Sequence, residues 1–318
     1  MLVRSYGFSL VAGNKEISTE DLFSYLVSIS GAENDSLGNL RKVFVDGSGN
    51  DGLLRGLVVT VKDQKTFCEL QNNQGSFIIS VANLKGKNKL MEFNFFIINK
   101  KNGLGIYQHY FQSCAPATFG RYLSSYYRYL SDSSKNRKIK ELDDNGELSA
   151  KKERLIKSSH AKGLYFSILV HKESLEKVLS KFNQIKAMEY EYAQLEPDLI
   201  KGAPLATYVN RIRQKVTFKK DSKIDVLAKA IQQTVNKFDF RSGRVSVVDS
   251  FGDEDIPMSV KIANIPEHFG EEDYDTVAGL LNNLDVKKFS SHKVMLSLVD
   301  KMTVEYKHIF MKNVKDKN

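Results

Sequence analysis

The alternation of apolar and polar positions gives the first reading of this chain. Residues 3–12 alternate closely enough to form a strand. Ser18-Thr19-Glu20-Asp21 then has the form of a helix cap, leading into Leu22, Phe23, Leu26, Val27 and Ile29 on one helical face. Strands are expected at Leu40–Val45, Leu53–Val61 and Ser76–Val81. Two more, Leu90–Ile98 and Leu104–Phe111, flank Asn99-Lys100-Lys101-Asn102-Gly103, where Asn-Gly supplies the positive φ of a hairpin. A tyrosine-rich helix from about Ala117 to Leu130 closes this first part.

Polarity changes next. Ser131–Lys162 holds few large apolar residues, and from Lys135 to Lys162 nine Lys/Arg stand against five Asp/Glu. Such a stretch is expected to be a linker or mobile loop, with a short helix at Ala150–Lys157. Beyond it the pattern predicts a strand at Gly163–Val170, a helix at Ser174–Phe182, and strands at Met188–Leu195 and Tyr208–Lys220. A helix at Lys223–Phe238 and strands around Arg244–Val248 and Met258–Ile262 follow. A closing helix spans about Ser291–Lys312, where Met295, Leu298, Met302, Tyr306 and Ile309 recur at steps of three and four. The expected fold is α+β: two mixed lobes with mainly antiparallel sheets, 1–131 and 163–318, joined by the basic segment 132–162.

Composition narrows the class. With 318 residues, 42% of them hydrophobic, the chain can bury a substantial core, and a net charge of +9 favours an anionic partner. The two cysteines, Cys68 and Cys114, belong to no CxxC pair. They read as inert core thiols in a reducing cytoplasm, and no cofactor is expected. The longest pure apolar run is Phe95–Ile98, far short of a membrane span, and Arg4 and Ser5 interrupt the N-terminal stretch before a signal-peptide core can form. A cytoplasmic protein is expected.

The charge is concentrated. From Lys201 to Lys237 nine Lys/Arg face only Asp221 and Asp225. Within Val209–Lys220 the even positions Ile212, Val216 and Phe218 are apolar and the odd positions Arg211, Arg213, Lys215 and Lys219 are basic. Side chains alternate faces along a strand, so one face packs and the other presents a cationic row with a spacing of about 6.5–7 Å, close to that of successive phosphates. Lys220 and Lys223 extend the row into the next helix. Lys135, Arg137 and Lys138 supply a second basic cluster. These nine residues are the candidate DNA contacts. Arg121-Tyr122 and Tyr126-Tyr127-Arg128-Tyr129 also mix aromatic and basic residues, a pattern that suits base stacking but equally a buried helix face.

Several motifs resemble chemistry without completing it. Gly47-Ser48-Gly49-Asn50-Asp51-Gly52 matches a dinucleotide fingerprint, but a strand-like run follows where a helix is required, so it reads as a hairpin loop. Asp143-Asp144-Asn145-Gly146-Glu147 fails the register of a calcium loop and reads as a polar turn. Glu305-Tyr306-Lys307 has the letters of a nuclease motif but falls on an expected helix. No catalytic constellation emerges, and a binding protein without chemistry of its own is expected. A divergent metal-dependent nuclease and a protein-interaction subunit are the alternatives.

Four segments carry a family likeness: Tyr6-Gly7-Phe8 with the Ser18–Ser30 helix, the strand–turn–strand–helix of Asn94–Leu123, the run Phe218–Ile231, and the closing amphipathic helix with its lysine tail. In these the chain resembles RexA, the phage-exclusion proteins of lambdoid prophages. The resemblance implies a homodimeric, DNA-binding, non-enzymatic component of antiviral defence that signals to a membrane-protein effector. The chain departs from that pattern at Arg244–Val248, which continues as Val247-Val248-Asp249 without further cations, and in the longer basic insert Lys135–Lys162.

Overall fold

The computed structural model describes residues 1–36, 39–62, 66–73, 76–83, 90–192, 212–237, 242–251, 254–263 and 265–311. In chain order the elements are β1 (Leu2–Ala12), α1 (Thr19–Ser28), β2 (Glu33–Ser36), β3 (Asn39–Asp46), β4 (Leu53–Lys62), β5 (Thr66–Asn73), β6 (Ser76–Asn83), β7 (Leu90–Asn99) and β8 (Leu104–His109). Then come α2 (Pro116–Asp144), α3 (Ala150–Ser159), β9 (Leu164–His171), α4 (Leu175–Leu179), β10 (Gln184–Tyr192), β11 (Ile212–Thr217) and α5 (Ile224–Lys237). The last are β12 (Ser242–Phe251), β13 (Glu254–Ala263), β14 (Glu271–Asp273), α6 (Tyr274–Leu280), α7 (Lys293–Asp300) and α8 (Lys307–Phe310).

Local chemistry explains the boundaries. Ser18 caps α1 in a reciprocal box: the Asp21 amide donates to the Ser18 hydroxyl and the Ser18 amide donates to the Asp21 carboxylate at 2.8 Å. The Gly47–Gly52 segment is the β3–β4 hairpin loop, with Gly52 at φ +75°. Gly103 turns the β7–β8 hairpin at φ +68°.

The main sheet runs β11-β10-β12-β13-β9-β1-β8-β7-β4-β3-β2, with β14 added to β1. Strands from both ends of the chain share it, because β1 hydrogen-bonds both β8 and β9. Among the described pairings only β13–β9 is parallel. β5 and β6 form a separate antiparallel pair. The fold is thus mixed α+β.

Helices α1, α2, α4 and α5 cover one face of the sheet, burying Phe8, Val58, Phe96, Tyr107, Phe166, Met188, Val245 and Val260. On this face Phe119 of α2 meets the rings of Phe8, Phe96, Tyr107 and Phe166. A Cβ on Gly56 would stand 1.9 Å from the Phe96 ring, so only glycine lets that ring lie across β4. The opposite face buries Val3, Leu57, Phe95, Ile97 and Ile106 under Val277 of α6, Met295 and Leu298 of α7, and Phe310 of α8.

The segment expected as a linker is helical over most of its length. α2 runs unbroken to Asp144, and α3 follows. The first turns of α2 bury Phe119, Leu123 and Tyr127; its later turns hold only Ile139 and Leu142 among polar residues, too few to mark an apolar helical period. Arg128–Asp132, Arg137–Glu141 and Lys157–Glu153 pair at i,i+4 and support the exposed turns. Asp143–Glu147 is the cap of α2: Gly146 sits at φ +67° and the Glu147 amide donates to Leu142 O at 2.8 Å.

The closing helix is also different from its expectation. It breaks into α7, a π-turn at Lys301–Glu305 and α8. Its Met295, Leu298 and Met302 are fully buried against this chain's own sheet, and Tyr306 packs edge-on to Phe269. That apolar stripe is therefore not a free dimerisation face.

Candidate nucleic-acid interface

Among the described strands β11 is the outermost at its end of the sheet. Alternation puts Arg213, Lys215 and Thr217 on one face and Gln214 and Val216 on the other. Phe218 continues the ladder, its amide donating to Lys186 O at 2.9 Å, and its side chain packs against the helix-covered core. Val216 stays 39% exposed, and among the described strands β11 has a neighbour on one side only. Arg211 and the side chain of Ile212 lie outside the described residues.

The cations of β11 are not left to repel one another. Glu189 of β10 stands opposite Lys215 in register, 2.7 Å from Arg213 Nη2 and 3.3 Å from Lys215 Nζ. The Arg213 hydrogen bond, and then Lys215, hold the Glu189 carboxyl below its usual range. Register carries the row further, as Lys215–Glu189–Arg244–Lys261 across β11, β10, β12 and β13. At about 4.8 Å per strand this row spans roughly 14 Å. A parallel row holds Arg213, Glu191 and Ser242. The face therefore presents Arg213, Lys215, Arg244 and Lys261 beside Glu189 and Glu191. Sequence reasoning missed Arg244 and Lys261, since each is a single cation on its own strand and only the register aligns them.

The corner beyond β11 is more strongly cationic. Lys219, Lys220 and Lys223 are exposed and have no ion-pair partner among the described residues. Lys186 joins them: it is exposed at a register shift between Ile185 and Ala187 and lies across from Phe218. A bulge in β10 is the only signal for Lys186, and it has no trace in periodicity.

Lys135, Arg137 and Lys138 lie elsewhere. They sit on α2, which packs on the helix-covered face of the sheet, whereas Arg213 and Lys215 point from the other face. Each has an acid beside it: Lys135 pairs with Asp132, Arg137 with Glu141 at 3.9 Å, and Lys138 with Glu16. The tyrosines of α2 divide. Tyr127 is buried, while Tyr122 and Tyr126 form a ring cluster with Tyr25, which also meets the exposed Tyr129.

Cys114 is buried, and burial pushes its thiol up, away from reactivity. Burial depresses His109 to about 4, keeping it neutral beside Tyr6. Among the described residues no group of three or more His, Cys, Asp or Glu is placed to hold a metal, and no helix is long and apolar enough to cross a membrane. No protein-family model and no curated protein matches this chain.

Proposed function

We propose that the chain is a sequence-nonspecific DNA-binding protein that holds duplex phosphates at the β10–β11 edge. The carrying observation is the convergence there of Lys186, Lys219, Lys220 and Lys223, exposed and without ion-pair partners among the described residues, beside Arg213 and Lys215. Lysines on a turn and an arginine on an edge strand reach backbone phosphates without reading base edges, which gives affinity without sequence preference. The resemblance to RexA extends the reading: DNA contact is the trigger, and a separate membrane effector, acting downstream in phage exclusion from the cytoplasm, is the output. A homodimer fits this role, since two linked cationic edges raise the effective concentration of each for one duplex. Catalysis has no part in the proposal.

Charge reversal tests it. Lys219→Glu/Lys220→Glu is expected to weaken binding to unrelated duplexes alike, by at least about tenfold at moderate salt, in gel-shift or anisotropy titrations. An unchanged affinity in the folded variant would contradict the proposal.

A further inference from the structure

A surface helix normally turns its polar residues outward. α7 and the π-turn after it carry apolar residues on both sides. Val294, Met295, Leu298 and Met302 are buried against the sheet. On the outer side Leu296 is 46% exposed and Val304, in the π-turn, 72%. Leu280 at the end of α6 is also exposed, and its carbonyl accepts from His292 Nε2 at 2.9 Å, beside the start of α7. Leu296, Ser297, Asp300 and Val304 line a shallow groove of about 530 Å³ along this outer side, with Lys293 at one end and Glu305 at the other.

The charges of the groove are ordered along its length. Lys293 stands at its start and Asp300 and Glu305 towards its end, all three exposed and without an ion-pair partner among the described residues. Lys301 is already engaged by Glu272 at 2.8 Å. The groove thus carries no excess of cations in a chain of net charge +9, which suits neither DNA nor an anionic lipid surface. It is complementary to itself. Lys293 and Glu305 lie about 18 Å apart along the helix. When two such helices run antiparallel about a two-fold axis, Lys293 of each copy meets Glu305 of the other. Leu296 of each then enters the hole that Ser297, Asp300 and Val304 leave in the other.

We infer that this groove, on the reading of the chain as a homodimer, is where two copies meet, with their α7 helices antiparallel across a two-fold axis. The apolar contact comes from Leu296 and Val304 of both copies, and the direction of pairing from Lys293 and Glu305. This surface is the outer side of α7, distinct from the buried Met295–Leu298–Met302 side and from the cationic edge at β11.

Sedimentation equilibrium of the full chain without DNA tests this. The wild type is expected at twice the chain mass. Val304→Glu sets two carboxylates in the interface and should give a monomer, with an unchanged melting temperature because the side chain is exposed. Lys293→Glu alone and Glu305→Lys alone should each weaken dimerisation about tenfold, since each change acts twice in a two-fold pair. Lys293→Glu/Glu305→Lys should restore it to within about threefold of the wild type, a recovery that only antiparallel pairing of this groove with itself produces and that stays readable if Val304→Glu melts early. Lys219→Glu/Lys220→Glu should dimerise as the wild type does, so a failed DNA edge and a failed interface are told apart. A wild type that stays monomeric at the highest concentration reached would overturn the inference and leave the groove to a helix of another protein. A dimer that ignores Val304→Glu, or a charge swap that restores nothing, would place the interface elsewhere and overturn it equally.

Discussion

Over β4, β7, β8 and β1 the sheet carries helices on both faces, whereas over β13, β12, β10 and β11 the described helices pack on one face. The strands differ accordingly. Phe95–Ile98 in β7 is an unbroken apolar run buried on both sides. In β12, buried Val245 and Val247 alternate with half-exposed Arg244 and Ser246. The doubly covered half supplies stability. Among the described residues the singly covered half keeps a polar face and an exposed cationic edge.

Substitutions sharpen that contrast, and the largest effect is expected at its centre. Phe119→Ala removes the ring that joins Phe8, Phe96, Tyr107 and Phe166, and should cost about 3–5 kcal/mol in urea denaturation. A loss near 1 kcal/mol would show that the two-sided half is not the stable one.

His109, at the end of β8, gives a pH signature. Burial lowers its folded value from 6.5 to about 4. Below pH 6.5 the unfolded chain takes up a proton that the fold excludes, so stability is full above that point and falls as pH drops towards 4. At about 1.4 kcal/mol per unit the full loss is on the order of 3 kcal/mol. His109→Gln should flatten this slope in melts from pH 7 to 4, and an equally steep slope in the variant would place the effect elsewhere. Smaller still is Val216→Ala on the edge strand, expected to cost under about 1 kcal/mol because the side chain is already 39% exposed.

Much of this fold was legible in the sequence where packing is two-sided or alternation is strict. The β7–β8 hairpin, the Ser18 cap and the Gly47–Gly52 loop follow from local chemistry that the structure keeps. The later turns of α2 were not legible. A polar helix held by its own ion pairs has no apolar period, and composition alone makes it look like a linker. The site divides in the same way. Parity along β11 separates Arg213 and Lys215 from Gln214 and Val216, but a single strand cannot reveal Glu189, which reaches both cations from the neighbouring strand. The fold itself thus offsets the mutual repulsion of Arg213 and Lys215. Lys186, Arg244 and Lys261 join the site through register, and register is a property of paired strands.

Glu189 also provides the most direct test of the DNA proposal. Its carboxylate competes with phosphate for Arg213 and Lys215, so Glu189→Gln should free both cations. Anisotropy titrations of a labelled duplex over a range of salt would compare this variant with the wild type. For the wild type log affinity should fall with log salt by about 0.9 for each phosphate contact. For Glu189→Gln the account predicts severalfold tighter binding at low salt and a steeper slope, with the gain lost when Arg213 and Lys215 are changed to Ala. Binding that ignores salt, or a Glu189→Gln protein that binds DNA no differently from the wild type, would contradict it.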